Sequence, residues 1–531
     1  MPYNRNSIKS YFIIVAATVM LYLWQLHLYP MINPDGVTYI EAAVAYMKGG
    51  LSAAVAVDYQ AKWPFYSILI AMVHSLTGLS IFNAERCLDA TLISISACFF
   101  LYLVGLFSEH KQASLWAIII WLTWHAYVKW WPTIVRDHGF LTCLLLSFYC
   151  YYRYTLTRRF SWALMWSGCV VLAELFRIEA VVYLLLLPFS TFFLTQETFK
   201  RRAQLWLKLN VLFIIIGIAV ALLFVNKTLT YNSLRFGYIW KEFSLLFFAI
   251  AERFTHDYLI LHKDVFYREN DFSAYAVVAA YVTAFVGYVI TQVSLAALPP
   301  IIFMRRGLSK LNQLFLKQAF VAYFSVAFFI PLFFFAEHAF LNGRYLVPLG
   351  LFFLLLVASI LPYIIDSFSG KKKVIFICIM GILLLQNFAA NLFHFGHVTQ
   401  DDYAVGLWLK EHYPNKTIFT NAKRILFYAS QPPDYKNGEV YEMKWGGVGD
   451  VWLRNHNLWC HEDFLVVSAP LGKTPAAWKM FEQLKAQGAI GAVVMRYKQT
   501  IIGEDILVAP IFAEKCMIMV AQNQEKLVDS R

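Results

Sequence analysis

Long apolar runs separated by short polar segments fill most of the chain up to about residue 395. The pattern predicts about eleven transmembrane helices, because a helix needs roughly 20 apolar residues to cross the hydrocarbon core. They lie at 8–29, 84–107, 113–131, 138–153, 160–176, 178–195, 209–226, 273–301, 318–336, 344–366 and 374–393. The segment 63–80 is also apolar, but it is amphipathic and begins with Trp63 and Pro64, which favours a helix at the membrane interface.

The hydropathy drops from about residue 396 onwards. Short apolar stretches predict strands, and amphipathic stretches predict two helices. The strands are Thr417–Thr420, Phe464–Ser468, Ala489–Met495 and Ile506–Ile511, and the helices are Asp401–Tyr413 and Pro475–Ala486. The predicted fold class is therefore a polytopic α-helical membrane protein with a transmembrane domain, 1–395, and a small α/β domain, 396–531.

Basic clusters between the apolar runs predict the orientation. Five clusters fall on one side when the spans between them are counted, and the positive-inside rule makes that side cytoplasmic. They are Arg5 with Lys9; Arg153, Arg158 and Arg159; Lys200, Arg201 and Arg202; Arg305, Arg306, Lys310 and Lys317; and Lys371, Lys372 and Lys373. The N-terminus is thus predicted to be cytoplasmic and the C-terminal domain extracytoplasmic. The first run lacks a small-residue cleavage site, so it is predicted to be an uncleaved helix.

Composition agrees with a membrane protein. Of the 531 residues, 60% are hydrophobic and 15% are charged, whereas soluble domains have about 45–50% and about 25%. The net charge is +12, but the basic residues sit in short clusters between apolar runs, which favours topology determinants over a nucleic-acid surface. The eight cysteines show no CxxC pair. Cys460 and Cys516 lie in the polar part and would form a disulfide if that part faces an oxidising compartment.

Two segments on the predicted outer side carry candidate chemistry. Asp35 follows the first span, where a carboxylate can take the proton of an attacking hydroxyl or amine; the alternative is an Asp that turns the chain before Gly36. Tyr59 and Lys62 precede the apolar segment 63–80. Lys62 is a candidate phosphate ligand with Tyr59 as a hydrogen-bond donor, and the alternative is a Lys that snorkels to the interface.

Two further segments add ionisable residues at the ends of predicted spans. Arg136, Asp137 and His138 stand at the outer entry to the fourth span. Ionisable residues at the mouth of a helix bundle are candidates for function, and Asp137 is a second candidate catalytic carboxylate; the alternative is a structural Arg–Asp pair. Arg177 and Glu179 lie between two apolar runs, also toward the outer side, where they are expected to be buried in the bundle.

The last segment stands at the outer start of the tenth predicted span and contains His338, Arg344 and Tyr345. Arg344 is a candidate ligand for the phosphate or diphosphate end of a lipid donor, and Tyr345 beside it is a second candidate. The alternative is an interfacial anchor.

The topology prediction joins these residues. Asp35, Lys62, Asp137 and Arg344 are far apart in the sequence but map to one membrane face. One cleft there would combine a carboxylate base with cations that bind phosphate, which is what displacement of a phosphate from a sugar carbon needs.

The order of the motifs resembles that of the GT-C superfamily of polytopic glycosyltransferases, and most of all its protein O-mannosyltransferase and lipid A aminoarabinose transferase group. That group has an acidic residue after the first helix, a Tyr-x-x-Lys-x-Pro stretch, an acidic residue preceded by Arg, and a late Arg-Tyr followed by Pro. The matching residues here are Asp35, Tyr39 and Ala43; Tyr59, Lys62 and Pro64; Arg136 and Asp137; and Arg344, Tyr345 and Pro348.

The resemblance implies an inverting glycosyltransferase with Asp35 as general base and a polyprenyl-phosphate or polyprenyl-diphosphate sugar as donor. It also implies a lipid, glycan or protein acceptor, an outer α/β domain and a bacterial inner membrane in the cell envelope. Two departures matter. Ala61 stands where aminoarabinose transferases have a Glu linked to metal binding, so metal dependence stays open, and Gly36 stands where the family often has a second acid.

Two other functions compete with this interpretation. A transporter or flippase of a lipid-linked or anionic substrate usually has ionisable residues near mid-membrane and paired halves. Here the charged residues gather at one face, and the sequence shows no repeat. A non-catalytic scaffold or receptor leaves the one-sided acids and bases without a role.

Overall fold

The computed structural model describes residues 7–29, 31–57, 63–193, 197–225, 236–265, 270–312, 319–393, 400–429, 459–470, 475–498 and 504–517. The chain forms two units. The helical unit consists of residues 1–28 and 42–393, and the C-terminal unit consists of residues 29–41 and 394–531. Residues 29–41, which follow the first helix, therefore group with the end of the chain.

The described secondary-structure elements of the first part of the chain are all helices. Its helices are α1 (Ile8–Leu28), α2 (Pro34–Val55), α3 (Phe65–Thr77), α4 (Ile81–Phe107), α5 (Ala113–Thr123), α6 (His125–Val128), α7 (Asp137–Thr157), α8 (Phe160–Phe176), α9 (Ala180–Leu186) with a 3₁₀ extension (Leu187–Phe193), and α10 (Phe199–Val225). Non-helical backbone at Gly49 and Gly50 kinks α2. The helix α3 lies within the amphipathic segment 63–80. Gly78, which has the left-handed backbone conformation, terminates this helix.

The remaining helices of the helical unit are α11 (Phe236–Asp264), α12 (Asn270–Val293), a 3₁₀ turn (Leu295–Ala297), α13 (Leu298–Ile302), α14 (Arg305–Leu308), α15 (Val321–His338), α16 (Gly343–Asp366) and α17 (Gly370–Leu392). Every predicted span falls on a described helix or a pair of them. In the described residues, seven helices are long and apolar enough to cross a membrane, and four shorter apolar helices accompany them. The prediction of a polytopic helical membrane protein is confirmed.

Two predictions differ from the structure in detail. The run 273–301 was predicted to be one span, but Ser294 has a φ of 83°, and the helix breaks there into α12, a 3₁₀ turn and α13. The segment 227–272, between two predicted spans, mixes apolar and charged residues, a pattern that predicts short helices on the membrane surface; its described part instead contains α11, one helix of 29 residues. Hydropathy cannot separate these cases, because it follows side-chain type and not backbone angle.

The most enclosed of the seven candidate spans in the described residues is α16. Of its most apolar 18-residue window, 83% is buried, against 17–50% for the other six candidate spans. It packs against α4, α5, α12, α14 and α15. Its first turn carries Arg344 and Tyr345, and its last residue is Asp366. The central position of α16 therefore fixes where these polar residues stand.

The C-terminal unit is a small α/β fold. Its described elements are α18 (Gln400–His412), β1 (Ile418–Thr420), α19 (Lys423–Ala429), β2 (Phe464–Pro470), α20 (Pro475–Ala486), β3 (Met495–Lys498) and β4 (Glu504–Pro510). The sheet order is β1-β2-β4-β3. The strand β1 runs parallel to β2, and β2 and β3 are both antiparallel to β4. The predicted small α/β domain is thus confirmed as a fold class.

Alternation along β2 explains how helices cover both faces of this sheet. Successive residues of a strand point to opposite faces. Leu465 and Val467 belong to a buried cluster with Phe481 and Leu484 of α20. Phe464 and Val466 belong to a second cluster, with Val405 and Leu409 of α18 and Ile425 of α19.

The third predicted strand was placed too early. Ala489–Met495 was predicted to be a strand, but the described strand β3 begins at Met495. Ile490 makes only an isolated bridge to Ile511. Cys460 and Cys516 are joined in a disulfide with their Cα atoms 5.6 Å apart, as the sequence suggested for an oxidising compartment.

Candidate functional site

A buried arginine brings together acids from two segments of the helical unit. Arg177 follows the end of α8, and Asp137 is the first residue of α7. One Arg177 Nη donates a short hydrogen bond to Asp137 Oδ1. The other Nη donates to Glu179 Oε1 at 2.6 Å, and Nε donates to Glu179 Oε2 at 3.3 Å. The guanidinium therefore has a fork-to-fork pair with one carboxylate and a single contact with the other.

An aromatic column continues from this cluster. The Arg177 guanidinium carbon lies 4.8 Å from the centre of the Tyr345 ring. Tyr345 stacks on Phe334 at 4.4 Å, and Phe334 stacks on His338 at 4.3 Å. The His338 imidazole is half-exposed, with its Nδ1 3.6 Å from Glu337 Oε2. The Arg177 guanidinium and the His338 imidazole are thus connected by two stacked rings, Tyr345 and Phe334.

A cleft opens beside the column. It is lined by Phe140, Arg177, Glu179, Tyr183, Ala327, Ile330, Arg344, Tyr345 and Pro348, and its empty space is ≈ 290 Å³. The charged side chains in this lining are two arginines and one glutamate, so the lining has a positive balance. The lining comes from α7, α9, α15 and α16 and from the link between α8 and α9.

Arg344 is held at the edge of the cleft by its own helix end. Asn342 caps α16, and its side chain accepts a hydrogen bond from the backbone N–H of Arg344 at 3.1 Å. The Arg344 guanidinium carbon lies 5.6 Å from the centre of the Trp130 ring. A cation over an indole face is stabilised there without losing its charge. Arg344 therefore presents a fixed cation to the cleft.

The structure brings some of the predicted site residues together and separates others. Arg177, Glu179, Arg344 and Tyr345 line the cleft, Asp137 binds Arg177, and His338 ends the aromatic column. Arg136 is half-buried at the N-terminal end of α7 and is not in the lining.

His138 faces another part of the interior. It is fully buried, with Nδ1 3.1 Å from the Tyr127 hydroxyl and Nε2 3.7 Å from Asp89 Oδ2. Successive residues of a helix point about 100° apart, so Asp137 points toward Arg177 and His138 points toward Asp89.

The remaining predicted residues lie elsewhere. Asp35 is half-buried in the first turn of α2, and Tyr39 is buried on the same helix. Both belong to the part of α2 that groups with the C-terminal unit. Tyr59 and Lys62 lie outside the described residues.

Sequence reasoning missed two buried acids and two aromatic rings. Glu85 and Asp89 lie inside α4, and their signal was available as two carboxylates four residues apart in an apolar run. Phe334 and Trp130 have no such signal, because an aromatic residue in a membrane helix is common. In the described ranges no group of three or more His, Cys, Asp or Glu residues is placed to hold a metal ion.

The fold and the cleft define the class: a multi-pass membrane protein with a polar cleft built at the ends of its helices. No family model and no curated protein matches the chain. Among solved structures, the crystal structure of ArnT from Cupriavidus metallidurans in the apo state is similar to it. That likeness has a TM-score of 0.40 and 13% sequence identity, and it covers 95% of this chain and 98% of that chain.

Proposed function

We propose that the protein is a GT-C-type glycosyltransferase that moves a sugar from a polyprenyl-phosphate or polyprenyl-diphosphate donor to an acceptor on the extracytoplasmic face. One observation carries the proposal. Arg177, Glu179, Arg344 and Tyr345, which come from segments more than 150 residues apart in the sequence, line one cleft. The cleft contains Arg344 and Tyr345, which the resemblance to the GT-C superfamily suggests as donor-phosphate ligands, and this supports the proposal.

The ends of α16 support the proposed orientation. Its first turn, with Arg344, faces the cleft. Its last residue, Asp366, accepts a hydrogen bond from Lys373 Nζ at 3.0 Å, and Arg306 Nη donates to the neighbouring Ser367 hydroxyl at 3.3 Å. The end of α16 remote from the cleft therefore carries basic residues, and the positive-inside rule favours the cytoplasm there.

The proposed reaction is a displacement at the sugar carbon that bears the phosphate. An acceptor hydroxyl or amine forms the new bond to that carbon while the bond to the phosphate oxygen breaks, which inverts the configuration. The Asp35 carboxylate takes the proton of the acceptor. Arg344, with Lys62 and Tyr59 from the family motif, stabilises the charge that the departing phosphate gains.

Asp137 has a different proposed role. A carboxylate that is bound to a guanidinium is a weaker proton acceptor, because the positive charge stabilises its ionised form. Asp137 binds Arg177, which also binds Glu179. We therefore assign Asp137 to positioning Arg177 against Tyr345 and keep Asp35 as the base.

The decisive experiment measures transfer and donor binding separately on the full-length protein in lipid nanodiscs. Asp35→Asn is expected to abolish transfer and to leave binding of a radiolabelled polyprenyl-phosphate sugar unchanged. Arg344→Gln is expected to weaken donor binding. Full transfer activity in Asp35→Asn refutes the base assignment.

Arg306→Gln is the matched control for Arg344→Gln. Its guanidinium carbon also lies over an aromatic ring, 4.5 Å from the centre of Phe368, but at the other end of α16. Donor binding is expected to survive this change. If both arginine variants lose binding equally, the cleft is not the phosphate site.

One observation favours a second candidate function. Glu85 and Asp89 are buried within a predicted span, and carboxyl groups in that setting often belong to ion or proton pathways of transporters. A transporter or flippase moves the lipid-linked substrate without changing it. Purified protein in sealed vesicles discriminates the two, because an enzyme yields a glycosylated acceptor and a free lipid phosphate, and a transporter yields neither.

A further inference from the structure

Two carboxyl groups lie in the interior of the helical unit, outside the cleft. Glu85 is 3% exposed and Asp89 is 0% exposed, one helical turn apart on α4. Residues four apart share one face of a helix. An ionised carboxylate in such surroundings costs several kcal/mol unless a partner offsets it. The partners of these two groups therefore decide what they do.

One hydroxyl serves both carboxyl groups. The Tyr66 hydroxyl on α3 lies 2.8 Å from Asp89 Oδ1 and 3.2 Å from Glu85 Oε1. The two carboxyl groups are also close enough to hydrogen-bond each other if one of them is protonated. A single hydroxyl hydrogen cannot satisfy two adjacent carboxylates, and two like charges at this separation repel.

A histidine from α7 completes the group. His138 is 0% exposed, and its Nε2 faces Asp89 Oδ2 at 3.7 Å. Neither of these two atoms has a hydrogen-bond partner among the described residues. On the other side of the ring, Nδ1 lies 3.1 Å from the Tyr127 hydroxyl. Asp89 Oδ2 is therefore a buried oxygen atom without a hydrogen-bond donor, and a proton held by the two carboxyl groups supplies a hydrogen there.

We propose that Glu85, Asp89 and His138 form a buried proton-binding site in which the two carboxyl groups share one proton, and that this site positions the start of α7. With the proton bound, the carboxyl pair has one negative charge. Loss of the proton gives it two adjacent negative charges beside the imidazole, and the repulsion moves Asp89 against His138.

Other titratable groups face this site from the surrounding helices. They are Tyr22 on α1, Tyr66 on α3, Arg86 on α4, Tyr127 on α6 and Asp137 on α7. Of these, Asp137 forms an ion pair with Arg177. Asp137 is the neighbour of His138 in sequence and the ion-pair partner of Arg177, which lines the cleft. A displacement of His138 would therefore move Asp137 and, through it, Arg177. The link between the proton and sugar transfer rests on the proposed function.

Infrared difference spectroscopy of the full-length protein in nanodiscs tests the proton directly. A titration from neutral to alkaline pH is expected to show loss of the carbonyl stretch of a protonated carboxyl. Asp89→Asn and Glu85→Gln are each expected to lack this band. A band that is absent from the wild type, or that is present in both variants, overturns the proposal. Glu85→Gln keeps the test open if Asp89→Asn fails to fold.

Ser96→Ala is the matched control. The Ser96 hydroxyl is buried on α4 and lies 2.8 Å from the Thr142 hydroxyl of α7, so the change loosens the same pair of helices without removing an acid. The band is expected to stay in Ser96→Ala. Its loss there would mean that packing of α4 on α7, and not the acid pair, sets the signal, which contradicts the proposal.

The pH profile of transfer tests the positioning role. In the wild type, kcat/KM is expected to fall at alkaline pH as the shared proton is lost. Glu85→Gln has one carboxyl at the site, so this fall is expected to disappear, whereas Ser96→Ala keeps the wild-type shape. Identical profiles for wild type and Glu85→Gln refute the positioning role. If the wild type transfers no sugar at all, the proposed function fails, and the infrared band still decides the proton site.

Discussion

Arg177 is surrounded by opposite charge. Its guanidinium binds Asp137 and Glu179, and it is 8% exposed. Removing one partner of a buried ion pair leaves the other charge uncompensated. The stability lost in this way is larger than the net contribution of the ion pair to the free energy of unfolding. In this cluster the arginine is the shared partner, so its loss leaves two carboxylates.

We expect Arg177→Met to lower the free energy of unfolding by about 3–5 kcal/mol. Thermal and denaturant unfolding of the protein in detergent measure the loss. Arg159→Met, at the exposed N-terminal end of the same helix α8, is the control and is expected to change stability little. Equal stability of the two variants would show that the buried acids do not depend on Arg177.

Asp463 gives the C-terminal unit a dependence on acid pH. Burial alone would raise the pKa of this carboxyl, but hydrogen bonds from the Thr417 backbone N–H, from Lys416 Nζ and from the Thr417 hydroxyl outweigh it and hold the pKa below its usual value. A lowered pKa means that the ionised group stabilises the folded state above the unfolded pKa of about 3.9. That stability is lost as pH falls through the folded pKa.

Calorimetry of the full-length protein is expected to show the unfolding transition of the C-terminal unit moving to lower temperature below about pH 4. In Asp463→Asn the same transition is expected to be lower at neutral pH and less sensitive to acid. An unchanged acid sensitivity in the variant would mean that other carboxyl groups control it.

The sequence identified the charged residues of the cleft but not their arrangement. Arg177 and Arg344 stood out because ionisable residues at the ends of apolar runs are rare. The alternative interpretation of Asp137 was a structural pair with Arg136, its neighbour in sequence, whereas the structure pairs it with Arg177. The pattern of residues along one segment cannot predict a charged partner on another helix, because only packing determines which helix faces meet.

Helices α7 and α8 approach closely at Gly139. A Cβ atom at this position would overlap the ring of Phe176, which is buried. The same ring makes an edge contact with Phe65, 5.1 Å between centres. Glycine at 139 therefore lets α7 and α8 pack at the point where Asp137 meets Arg177.

We expect Gly139→Ala to destabilise the helical unit by about 1–3 kcal/mol, because overpacking forces side chains and backbone to shift. Gly168→Ala on α8 is the control, since nothing lies within 4 Å of its Cβ position. Replacing a glycine inside a helix in open space is expected to stabilise by about 0.5–1 kcal/mol. The unfolding midpoint is expected to fall in Gly139→Ala and to rise in Gly168→Ala. A change in the same direction in both variants contradicts the close contact at Gly139.

Element boundaries show where sequence patterns were sufficient. Apolar runs placed α4, α8, α16 and α17 within a few residues, because a membrane helix must satisfy its own backbone groups and needs a fixed length. The break at Ser294 depends on a positive φ, which the run of apolar residues does not reveal. The strand β3 was placed too early because Ala489 and Ile490 before it are buried, although only Ile490 makes an isolated bridge there.

The whole molecule combines a large helical unit with a small unit that is closed by a disulfide. Cys460 and Cys516 are 56 residues apart and both are buried in the core of the C-terminal unit. Disulfides form and persist in oxidising compartments. The pair therefore supports the proposal that this unit lies outside the cytoplasm.

The double variant Cys460→Ser/Cys516→Ser is expected to lower the stability of the C-terminal unit by about 2–4 kcal/mol. Calorimetry is expected to show this loss while the transition of the helical unit stays in place. Cys378→Ser, at an exposed free cysteine, is the control and is expected to change neither transition. Mass spectrometry under non-reducing conditions checks the pairing, and recovery of free Cys460 from the native membrane would contradict the orientation.

The sheet of the C-terminal unit has its shortest described strands at its two borders. β1 has 3 residues and β3 has 4, whereas β2 and β4 between them have 7 each. A border of this length leaves few backbone groups to which a foreign strand can add. A domain among densely packed neighbours gains from such borders, because they discourage the strand-by-strand polymerisation to which open sheets are prone.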